Sequence, residues 1–467
     1  MENKKRKGEC ILLPLKLKEI VEAIGAKTNA EIPDIEITNI CTDSRDVRPG
    51  SVFVALCGER FDGHAFVKTA MENGALWAVV QKEGDYGTDK LLFVNTTRQA
   101  FLDIAGLYRS KFSPKVIAVT GSVGKTTTRE MIASVIKSEY KTLKTENNLN
   151  NEVGVPKTIL ELDESIEAMV LEFGMVNLGE IRELTVPAKP DIAVITCIGT
   201  CHIENLGSRE NIKKAKFEIV EGLKKGGTLL LNKDNDMMKD ICLPDYNVVY
   251  YAVGDASADI RAKDIFEKDG ETDFVIVCES GEYPAHIPAM GEHNVLNALA
   301  GFGAGVAAGI SPEQCAKALA NFKNTGMRQK VKVCRGITVV EDCYNANPDS
   351  MKAALTTLGA QKLADGAQKI AVLGDMLELG TVAEISHSET GKLAAENANL
   401  LFCYGELSKL MVSGAKEKGM ENAFHFESKE ELSEKLRKTA KPGDIIWLKA
   451  SRGMRFEDIA EAFYEET

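Results

Sequence analysis

Short apolar runs separated by stretches with helically spaced apolar residues are the main pattern along most of this chain. Residues 116–120 form one such run, and residues 129–136 follow it with apolar positions at the spacing of a helix. The alternation recurs downstream, where we predict strands at residues 168–175, 191–196, 337–341, 369–373, 400–403 and 444–448. Strands that alternate with helices are typical of parallel sheets, so the pattern predicts an α/β fold.

The first part of the chain has a different pattern, with short strands and few long helices. There we predict helices at residues 17–24 and 66–73 and strands at residues 35–40 and 51–56. Residues 111–115 indicate a linker before the alternating region. At ~150 residues per domain, the length suits about three domains. We place their bounds at residues 1–112, 113–327 and 328–467, the last being a second, Rossmann-like α/β unit without a phosphate loop.

A Gly-rich turn, T-G-S-V-G-K-T-T, follows the apolar run at residues 116–120. Its glycines allow backbone N–H groups to point at an anion, and the next helix adds the positive end of its dipole. Lys125 offers a mobile cation and Thr126 a hydroxyl for Mg²⁺. Val119 stands where a phosphate loop usually has its first glycine, so a plain Gly-rich turn is the alternative. We predict that the loop binds phosphate through Gly121, Ser122, Val123, Gly124, Lys125, Thr126 and Thr127.

Two further polar residues follow neighbouring apolar runs of the central region. Glu172 is the one carboxylate at the C-terminal end of the run at 168–175, and His202 comes shortly after the run at 191–196. Because ligands bind beyond the carboxyl ends of parallel strands, we expect Thr126, Glu172 and His202 to meet at one edge of the sheet. A carboxylate and a hydroxyl suit Mg²⁺. His202 is a less typical magnesium ligand, and a structural histidine is the alternative.

The helix predicted from residue 291 carries two asparagines on one face. Asn294 and Asn297 are three residues apart, so their amides could bind the edge of a purine. Close packing of a helix rich in alanine and glycine explains the same stretch equally well. In the last domain, polar loops follow the strands at residues 342–348, 374–380 and 449–455, and three such loops at one sheet edge form a binding face.

Charge and cysteine content exclude some classes of function. The net charge is −12, which does not favour binding to nucleic acid or anionic membranes. The basic cluster at residues 4–7 precedes no signal-type apolar region, and no run approaches the ~18 residues of a membrane span, so we expect a cytoplasmic protein. The 11 cysteines include no C-x-x-C pair, which favours reduced thiols. Cys197, Cys201 and His202 lack a second half-site, so zinc is not favoured.

Several of these motifs together resemble one family. The phosphate loop, the asparagine-rich stretch at 147–156, the Glu172 strand, H-I-E from His202, A-K at 215–216 and G-E-H-N-V-L-N-A at 291–298 are similar to the Mur ligases. These enzymes form amide bonds with ATP during peptidoglycan precursor synthesis, and hence in cell-wall formation, cell shape and division. The resemblance covers essentially the whole chain.

The resemblance implies an architecture and a reaction. Three domains would hold a UDP-sugar, ATP in a central P-loop sheet, and an amine in a Rossmann-like unit. A substrate carboxylate would attack the γ-phosphate of ATP, and the amine would displace phosphate from the acyl phosphate. The loops at 342–351, 373–380 and 449–455 look like those of members that join D-Ala-D-Ala to UDP-MurNAc-tripeptide, unlike members that add the third residue. We expect a monomer acting on these small molecules.

Carried over residue by residue, the resemblance also implies roles. Lys125, Glu172, His202 and Lys216 would be catalytic, with Thr126, Glu172 and His202 binding metal, two Mg²⁺ ions in all. Lys216 falls where the family has a carbamylated lysine, whereas the sequence alone indicates a solvated helix lysine. Asn294 and Asn297 would contact adenine, Arg328 the phosphates and Asp342 the ribose. Ser44 and Arg45 would contact the UDP-sugar, and Asn347, Ser451 and Arg455 the dipeptide.

Two other functions remain open on the sequence. A P-loop switch protein would carry a guanine-reading Asn-Lys-x-Asp, and the string at 232–235 ends in Asn instead. A related ATP-dependent amide ligase, adding either the third peptide residue or glutamate, would share most of the same motifs.

Overall fold

The computed structural model describes residues 12–58 and 61–465, and it contains an α/β fold in three parts. The basic cluster at residues 4–7 lies outside the described residues. In the first part, a two-stranded antiparallel sheet joins β1 to β2, and a parallel sheet has the order β3-β4-β5-β6. The elements are β1 Leu15–Lys16, β2 Glu36–Ile37, β3 Asn39–Cys41, β4 Ser51–Val54, β5 Trp77–Val80, β6 Leu91–Phe93, α1 Leu17–Ala23, α2 Val67–Glu72 and α3 Thr97–Arg109.

The single strand predicted at residues 35–40 is two strands in the structure. β2 pairs with β1, whereas β3 pairs with β4 in the other sheet. The chain changes sheets at Thr38, whose N–H donates to the carbonyl of Gly50 at 3.0 Å. Thr38 Oγ1 also donates to the carbonyl of Pro49 at 3.2 Å. The prediction was wrong here because an apolar run does not reveal which sheet each of its residues joins.

The central part is a nine-stranded sheet in the order β15-β14-β13-β12-β11-β10-β7-β9-β8. It is parallel from β8 to β13, which confirms the predicted mainly parallel sheet, and β13, β14 and β15 extend it with antiparallel pairs. The strands are β7 Lys115–Thr120, β8 Thr142–Lys144, β9 Ala168–Glu172, β10 Ile192–Ile195, β11 Thr228–Asn232, β12 Asn247–Ala252, β13 Ile260–Lys268, β14 Glu271–Cys278 and β15 Gly281–Ile287. The helices are α4 Lys125–Ile136, α5 Gly154–Ile159, α6 Glu180–Ala188, α7 Ile203–Leu206, α8 Arg209–Phe217, α9 Ile219–Gly222, α10 Glu292–Ala307 and α11 Pro312–Ala318.

β7 lies inside this sheet and is buried on both faces. Val116 and Ala118 pack into one hydrophobic core, while Ile117 and Val119 pack into the core on the opposite face. This alternation follows from the two-residue period of a strand, and burial on both faces explains the uninterrupted apolar run. β9 and β10 flank β7, so the carboxyl ends of these three strands meet at one edge of the sheet.

The last part is a six-stranded sheet in the order β16-β17-β21-β18-β19-β20, parallel except for β16. Its strands are β16 Lys330–Cys334, β17 Ile337–Glu341, β18 Lys369–Gly374, β19 Leu400–Tyr404, β20 Ala423–Phe426 and β21 Ile445–Lys449. Its helices are α12 Pro348–Ala360, α13 Ala383–Asn397, α14 Ser408–Glu417, α15 Lys429–Thr439 and α16 Glu457–Tyr464. β21 begins one residue later than predicted, because the Asp444 carboxylate caps the turn by accepting from the N–H groups of Gln368 and Lys441 at 2.7 and 2.8 Å.

Two other findings concern the described residues as a whole. None of the helices in this portion of the chain combines the length and the apolar character needed to cross a bilayer. The cysteines described are free thiols, as the sequence predicted.

Candidate active site

The phosphate loop connects β7 to α4, and two of its positions require glycine. Gly121 has φ +151°, and a Cβ there would lie 1.8 Å from Oγ1 of Thr196. Gly124 has φ +85°, and a Cβ there would lie 2.7 Å from Oδ1 of Asn297. Lys125 begins α4 and donates through Nζ to the carbonyl of Gly121 at 2.8 Å. The tight turn thus brings backbone N–H groups and one ammonium to the start of a helix, which is an anion-binding arrangement.

A cleft of about 980 Å³ opens on this loop. Its walls come from the central part of the chain, including α10, from the last part, and from Thr96, Arg98 and Gln99 of the first part. It brings together most of the residues that the sequence predicted, namely residues 122–127, Glu172, His202, Asn294, Asn297, Arg328, Asp342 and Asn347. Groups from distant parts of the sequence therefore face one space large enough for several small molecules.

Glu172 lies at the end of β9 and its side chain is only 2% exposed. Oε2 accepts from Nη1 of Arg129 at 3.0 Å, and Oε1 accepts from Nδ2 of Asn150 at 2.8 Å. The sequence did not single out either partner. The signal that could have identified Arg129 is its position with Glu130 inside an otherwise apolar helical pattern, because a buried charge needs a partner.

Arg129 is also part of a longer chain of charges. Its guanidinium donates to Oε1 of Glu130, and Lys144 donates to both oxygens of Glu130 at 2.8 and 2.7 Å. Lys144, Glu130, Arg129 and Glu172 thus alternate in sign along one buried network. Each carboxylate is paired with a cation, and removal of Arg129 would leave Glu172 buried without a charged partner.

His202 stands just before α7 with φ +62°, an uncommon backbone conformation for a residue with a side chain. Its Nδ1 lies 3.3 Å from Oε2 of Glu378 in the last part of the chain. Burial lowers the pKa of His202, and the charges of Lys125 and Lys216 lower it further. A neutral imidazole can bind a metal ion, so the ring is in a suitable form for the predicted role.

The donors in the cleft fit a magnesium ion in part. The Thr126 hydroxyl and the Glu172 carboxylate are oxygen donors of the kind that Mg²⁺ prefers, and His202 lines the same cleft. A carboxylate oxygen has a second lone pair after it has accepted from Arg129 or Asn150. Mg²⁺ usually keeps several water or phosphate ligands, so this incomplete protein shell suits it. Within residues 12–58 and 61–465, Cys197, Cys201 and His202 form no close group of metal donors.

Lys216 lies in α8 and is 1% exposed, so the solvated lysine indicated by the sequence alone was wrong. Burial lowers the pKa of Lys216 to about 7, with a further contribution from the charge of Lys125. The signal was in the sequence, because Ile212, Ala215 and Lys216 share the buried stripe of α8 at helical spacing. A large fraction of this amine is therefore neutral near pH 7.

The two asparagines of α10 are buried at the cleft wall and already have protein partners. Asn294 Nδ2 donates to the carbonyl of Met290 at 2.7 Å and to Oε1 of Gln329 at 2.8 Å. Asn297 donates to Oδ1 of Asn294 at 3.1 Å and accepts from Oγ1 of Thr128 at 2.9 Å. The amides thus tie α10 to the helix that follows the phosphate loop, and their contact with adenine stays a prediction.

Arg328 and Asp342 face the cleft from the last part of the chain. The Arg328 guanidinium lies 3.6 Å from the centre of the Tyr344 ring, a cation–π contact. Asp342 Oδ2 accepts from Nζ of Lys449 at 2.7 Å. Lys449 also lines the cleft, and it was not predicted as a site residue although it begins the loop at residues 449–455.

The predicted substrate residues are placed less uniformly. Asn347 lines the cleft, and its side chain also caps α12 by accepting from the N–H of Ser350 at 2.8 Å. Ser451 is buried and accepts from the N–H of Leu377 at 2.9 Å, outside the residues that line the cleft. Arg455, which pairs with Asp458, and Ser44 and Arg45, the latter paired with Asp43, also lie outside that lining. Their substrate contacts stay predictions.

The central and last parts of the chain also touch beside the phosphate loop. Asp349 Oδ2 accepts from the N–H of Thr200 at 2.9 Å and from its hydroxyl at 3.2 Å. The preceding N–H, that of Gly199, donates to Oγ of Ser122 in the phosphate loop at 2.9 Å. This contact was not visible in the sequence, because it joins residues 149 positions apart.

The chain was compared with protein-family models and with known proteins, and one family model matches each of its three parts. The chain matches the Mur ligase family catalytic domain at residues 36–111, the Mur ligase middle domain at 119–305 and the Mur ligase glutamate ligase domain at 327–452. It is 38% identical to the UDP-N-acetylmuramoyl-tripeptide–D-alanyl-D-alanine ligase of Bacillus subtilis (strain 168), over 96% of this chain and 98% of that protein.

Solved structures show the same relationship. A crystal structure of MurF from Acinetobacter baumannii has a TM-score of 0.89 and 31% identity, covering 97% of this chain and 100% of that one. A crystal structure of MurF ligase from Thermotoga maritima in complex with ADP has a TM-score of 0.83 and 27% identity, covering 91% and 97%.

We predict that the Arg129→Met substitution destabilises the central part of the chain by about 3–5 kcal/mol, because Glu130 and Glu172 would stay buried without this cation. The measurement is urea unfolding followed by circular dichroism, with hydrogen exchange of peptides from residues 113–327 to locate the change, because Trp77 and Trp447 both lie outside the central part. Lys137→Ala, an exposed position directly after the same helix, is the matched control and should shift stability by no more than ~0.5 kcal/mol. Equal unfolding midpoints for the two variants would contradict the role of the network.

Proposed function

The chain belongs to the Mur ligase family, and from that premise we propose that it joins D-alanyl-D-alanine to UDP-N-acetylmuramoyl-tripeptide with hydrolysis of ATP to ADP and phosphate. The product is UDP-MurNAc-pentapeptide, a precursor of peptidoglycan. The similarity to ligases of this specificity along nearly the whole chain carries the proposal. The cleft supports it, because it joins a phosphate loop to the loops of a second α/β unit.

We assign one task to each of the three domains. Residues 1–112 bind the UDP-sugar, with Ser44 and Arg45 as contacts, and residues 113–327 bind ATP. Residues 328–467 bind D-Ala-D-Ala, for which Asn347, Ser451 and Arg455 are the candidate residues. Since one chain carries all three tasks, we propose that it acts as a monomer, in the cytoplasm where ATP is available.

The nucleotide is held mainly by the loop at residues 121–127. Backbone N–H groups and the Lys125 ammonium neutralise the β- and γ-phosphates, as transfer of a phosphoryl group to an anionic acceptor requires. Asn294 and Asn297 contact the adenine, Arg328 reaches the phosphates and Asp342 the ribose. The proximity of these groups in one cleft supports the assignment.

Thr126, Glu172 and His202 would hold magnesium, with two ions as the family resemblance implies. When bound, magnesium supplies positive charge that offsets the repulsion between the γ-phosphate and the attacking carboxylate. The protein contribution is the orientation of the ligands. Arg129 and Asn150 each donate a hydrogen bond to one oxygen of the Glu172 carboxylate and so fix its orientation. The left-handed backbone conformation of His202 sets the direction of its side chain.

We propose that Lys216 is carbamylated: its neutral amine adds to CO2 and loses a proton, which gives a negatively charged, carboxylate-like carbamate. Carbamate formation needs a neutral amine, and burial provides one by lowering the pKa of Lys216 to about 7. The modified side chain would carry a negative charge close to Lys125, where two ammonium groups would otherwise repel each other.

The reaction proceeds in two steps in the cleft. The terminal carboxylate of the tripeptide attacks the γ-phosphorus of ATP, the bond to the bridging oxygen breaks, and ADP and an acyl phosphate result. The amine of D-Ala-D-Ala then attacks the acyl carbon, loses a proton and displaces phosphate. Lys125 stabilises the charge on the transferred phosphoryl group, and exclusion of water by the surrounding domains protects the acyl phosphate.

A coupled phosphate-release assay tests the proposed function. Purified protein with ATP and magnesium should release phosphate only when UDP-MurNAc-tripeptide and D-Ala-D-Ala are both present, and mass spectrometry should detect the pentapeptide product. Turnover with glutamate in place of the dipeptide would instead favour a polyglutamate-type ligase. Turnover with UDP-MurNAc-dipeptide and a diamino acid would favour the ligase that adds the third residue.

Lys216→Ala should lower kcat by about 10- to 100-fold, because the proposed carbamate is a carboxylate-like group that would support metal binding. Short carboxylates such as acetate or formate should restore part of the activity by filling the space of the carbamate. Lys214→Ala, at an exposed position on the same helix, is the matched control and should keep normal activity. A folded Lys216→Ala variant that no carboxylate rescues would count against carbamylation.

A further inference from the structure

Lys449 is a buried cation at the wall of the cleft that none of the roles above uses. Its side chain is 3% exposed. Nζ donates to Oδ2 of Asp342 at 2.7 Å and to the carbonyl of Asn345 at 3.2 Å. A buried ammonium is costly unless it is paired, and here the pairing partner is the carboxylate that we assign to the ribose of ATP.

Strand register places the two residues together. β17 and β21 are parallel neighbours, and Glu341 lies opposite Leu448. The next residues, Asp342 and Lys449, therefore leave adjacent strands side by side at the carboxyl edge of the sheet. The N–H of Asp342 also donates to the carbonyl of Leu448 at 2.9 Å. The distance between the ammonium and the carboxylate is thus set by the backbone of the sheet.

The contact uses one oxygen of the carboxylate. Within the described part of the chain, the Asp342 side chain accepts one hydrogen bond, which Lys449 donates to Oδ2. The Asp342 side chain is 13% exposed and lines the cleft, so Oδ1 remains able to accept from a ligand. Two vicinal hydroxyls of a ribose are suitable donors for such an oxygen.

The pair also lies close to α10, which we assign to the adenine. His293, next to Asn294, is half-buried and lines the cleft; desolvation lowers its pKa to about 4, and the nearby charges of Asp342 and Lys449 act on that pKa in opposite directions. Nζ of Lys449 holds the carbonyl of Asn345 as well, in the same cleft-lining loop. One ammonium therefore fixes both the carboxylate and the loop that would border the sugar of the nucleotide.

We propose that Lys449 is a positioning residue for the nucleotide: it holds the Asp342 carboxylate through Oδ2, so that Oδ1 accepts from the ribose hydroxyls. The inference rests on the nucleotide site of the proposed function, and it does not depend on the identity of the amine substrate. It predicts that Lys449 acts on ribose recognition and not on the chemical step.

The test compares the binding of ADP and of 2′,3′-dideoxy-ADP by isothermal titration calorimetry. The unmodified protein should bind ADP at least about tenfold more tightly, because a hydrogen bond to a charged group is lost with the dideoxy ligand. In Lys449→Met, the preference for ADP over the dideoxy ligand should fall to about one to threefold. Only the affinity for ADP should decrease. Lys449→Arg, which keeps a cation beside Asp342, should retain most of the preference.

Two further variants separate ribose recognition from general damage. Lys441→Met, at an exposed position before the same strand, should keep the full ADP preference. Asp342→Ala should abolish the preference, and adding Lys449→Met to it should cause no further loss, because both residues act through one contact.

A folded Lys449→Met protein that keeps the full preference would overturn the inference. A Lys449→Met protein that binds ADP and 2′,3′-dideoxy-ADP more weakly by the same factor would also overturn the inference. The lysine would then have only a general structural role in the site. If the unmodified protein binds ADP with this preference but makes no pentapeptide, the proposed ligase reaction fails and the role of Lys449 stands.

Discussion

The parallel pairing of β7 with β9 on one side and β10 on the other is the constraint on which the rest of the site depends. It brings three strand ends to one edge of the sheet. The phosphate loop leaves β7, Glu172 ends β9, and the segment that contains His202 follows β10. Because strand ends in one sheet lie only ~5 Å apart, the loops that follow these strands bring groups that are far apart in sequence close together.

Charge compensation is the second constraint. ATP and the tripeptide carboxylate of the proposed reaction are anions, while the protein as a whole has a net charge of −12. Positive charge is therefore needed at particular points of the cleft. Lys125 and the phosphate-loop N–H groups face the cleft, Arg129 supports Glu172 from inside the protein, and Lys449 supports Asp342. Burial keeps a large fraction of Lys216 neutral beside Lys125, which limits repulsion between the two amines.

Elements with a regular period were predictable from the sequence, whereas contacts between distant residues were not. The strand that carries Glu172 was predicted at residues 168–175 and is observed at residues 168–172, because apolar residues continue along the chain past the last residue of the strand. The partners of the acidic residues were missed, since Arg129 is 43 positions from Glu172 and Lys449 is 107 positions from Asp342. The buried state of Lys216 was detectable from helical spacing, but a lysine-rich helix is more often a solvated one.

The most direct test of the account concerns the loop around Lys125, since every other role assumes that it binds the phosphates of ATP. Calorimetric titration with ADP and magnesium should show binding to the unmodified protein and to Lys137→Ala. Lys125→Ala should bind at least about tenfold more weakly, as the loss of one ammonium–phosphate contact implies. ADP affinity that is unchanged in a folded Lys125→Ala protein would contradict the central claim.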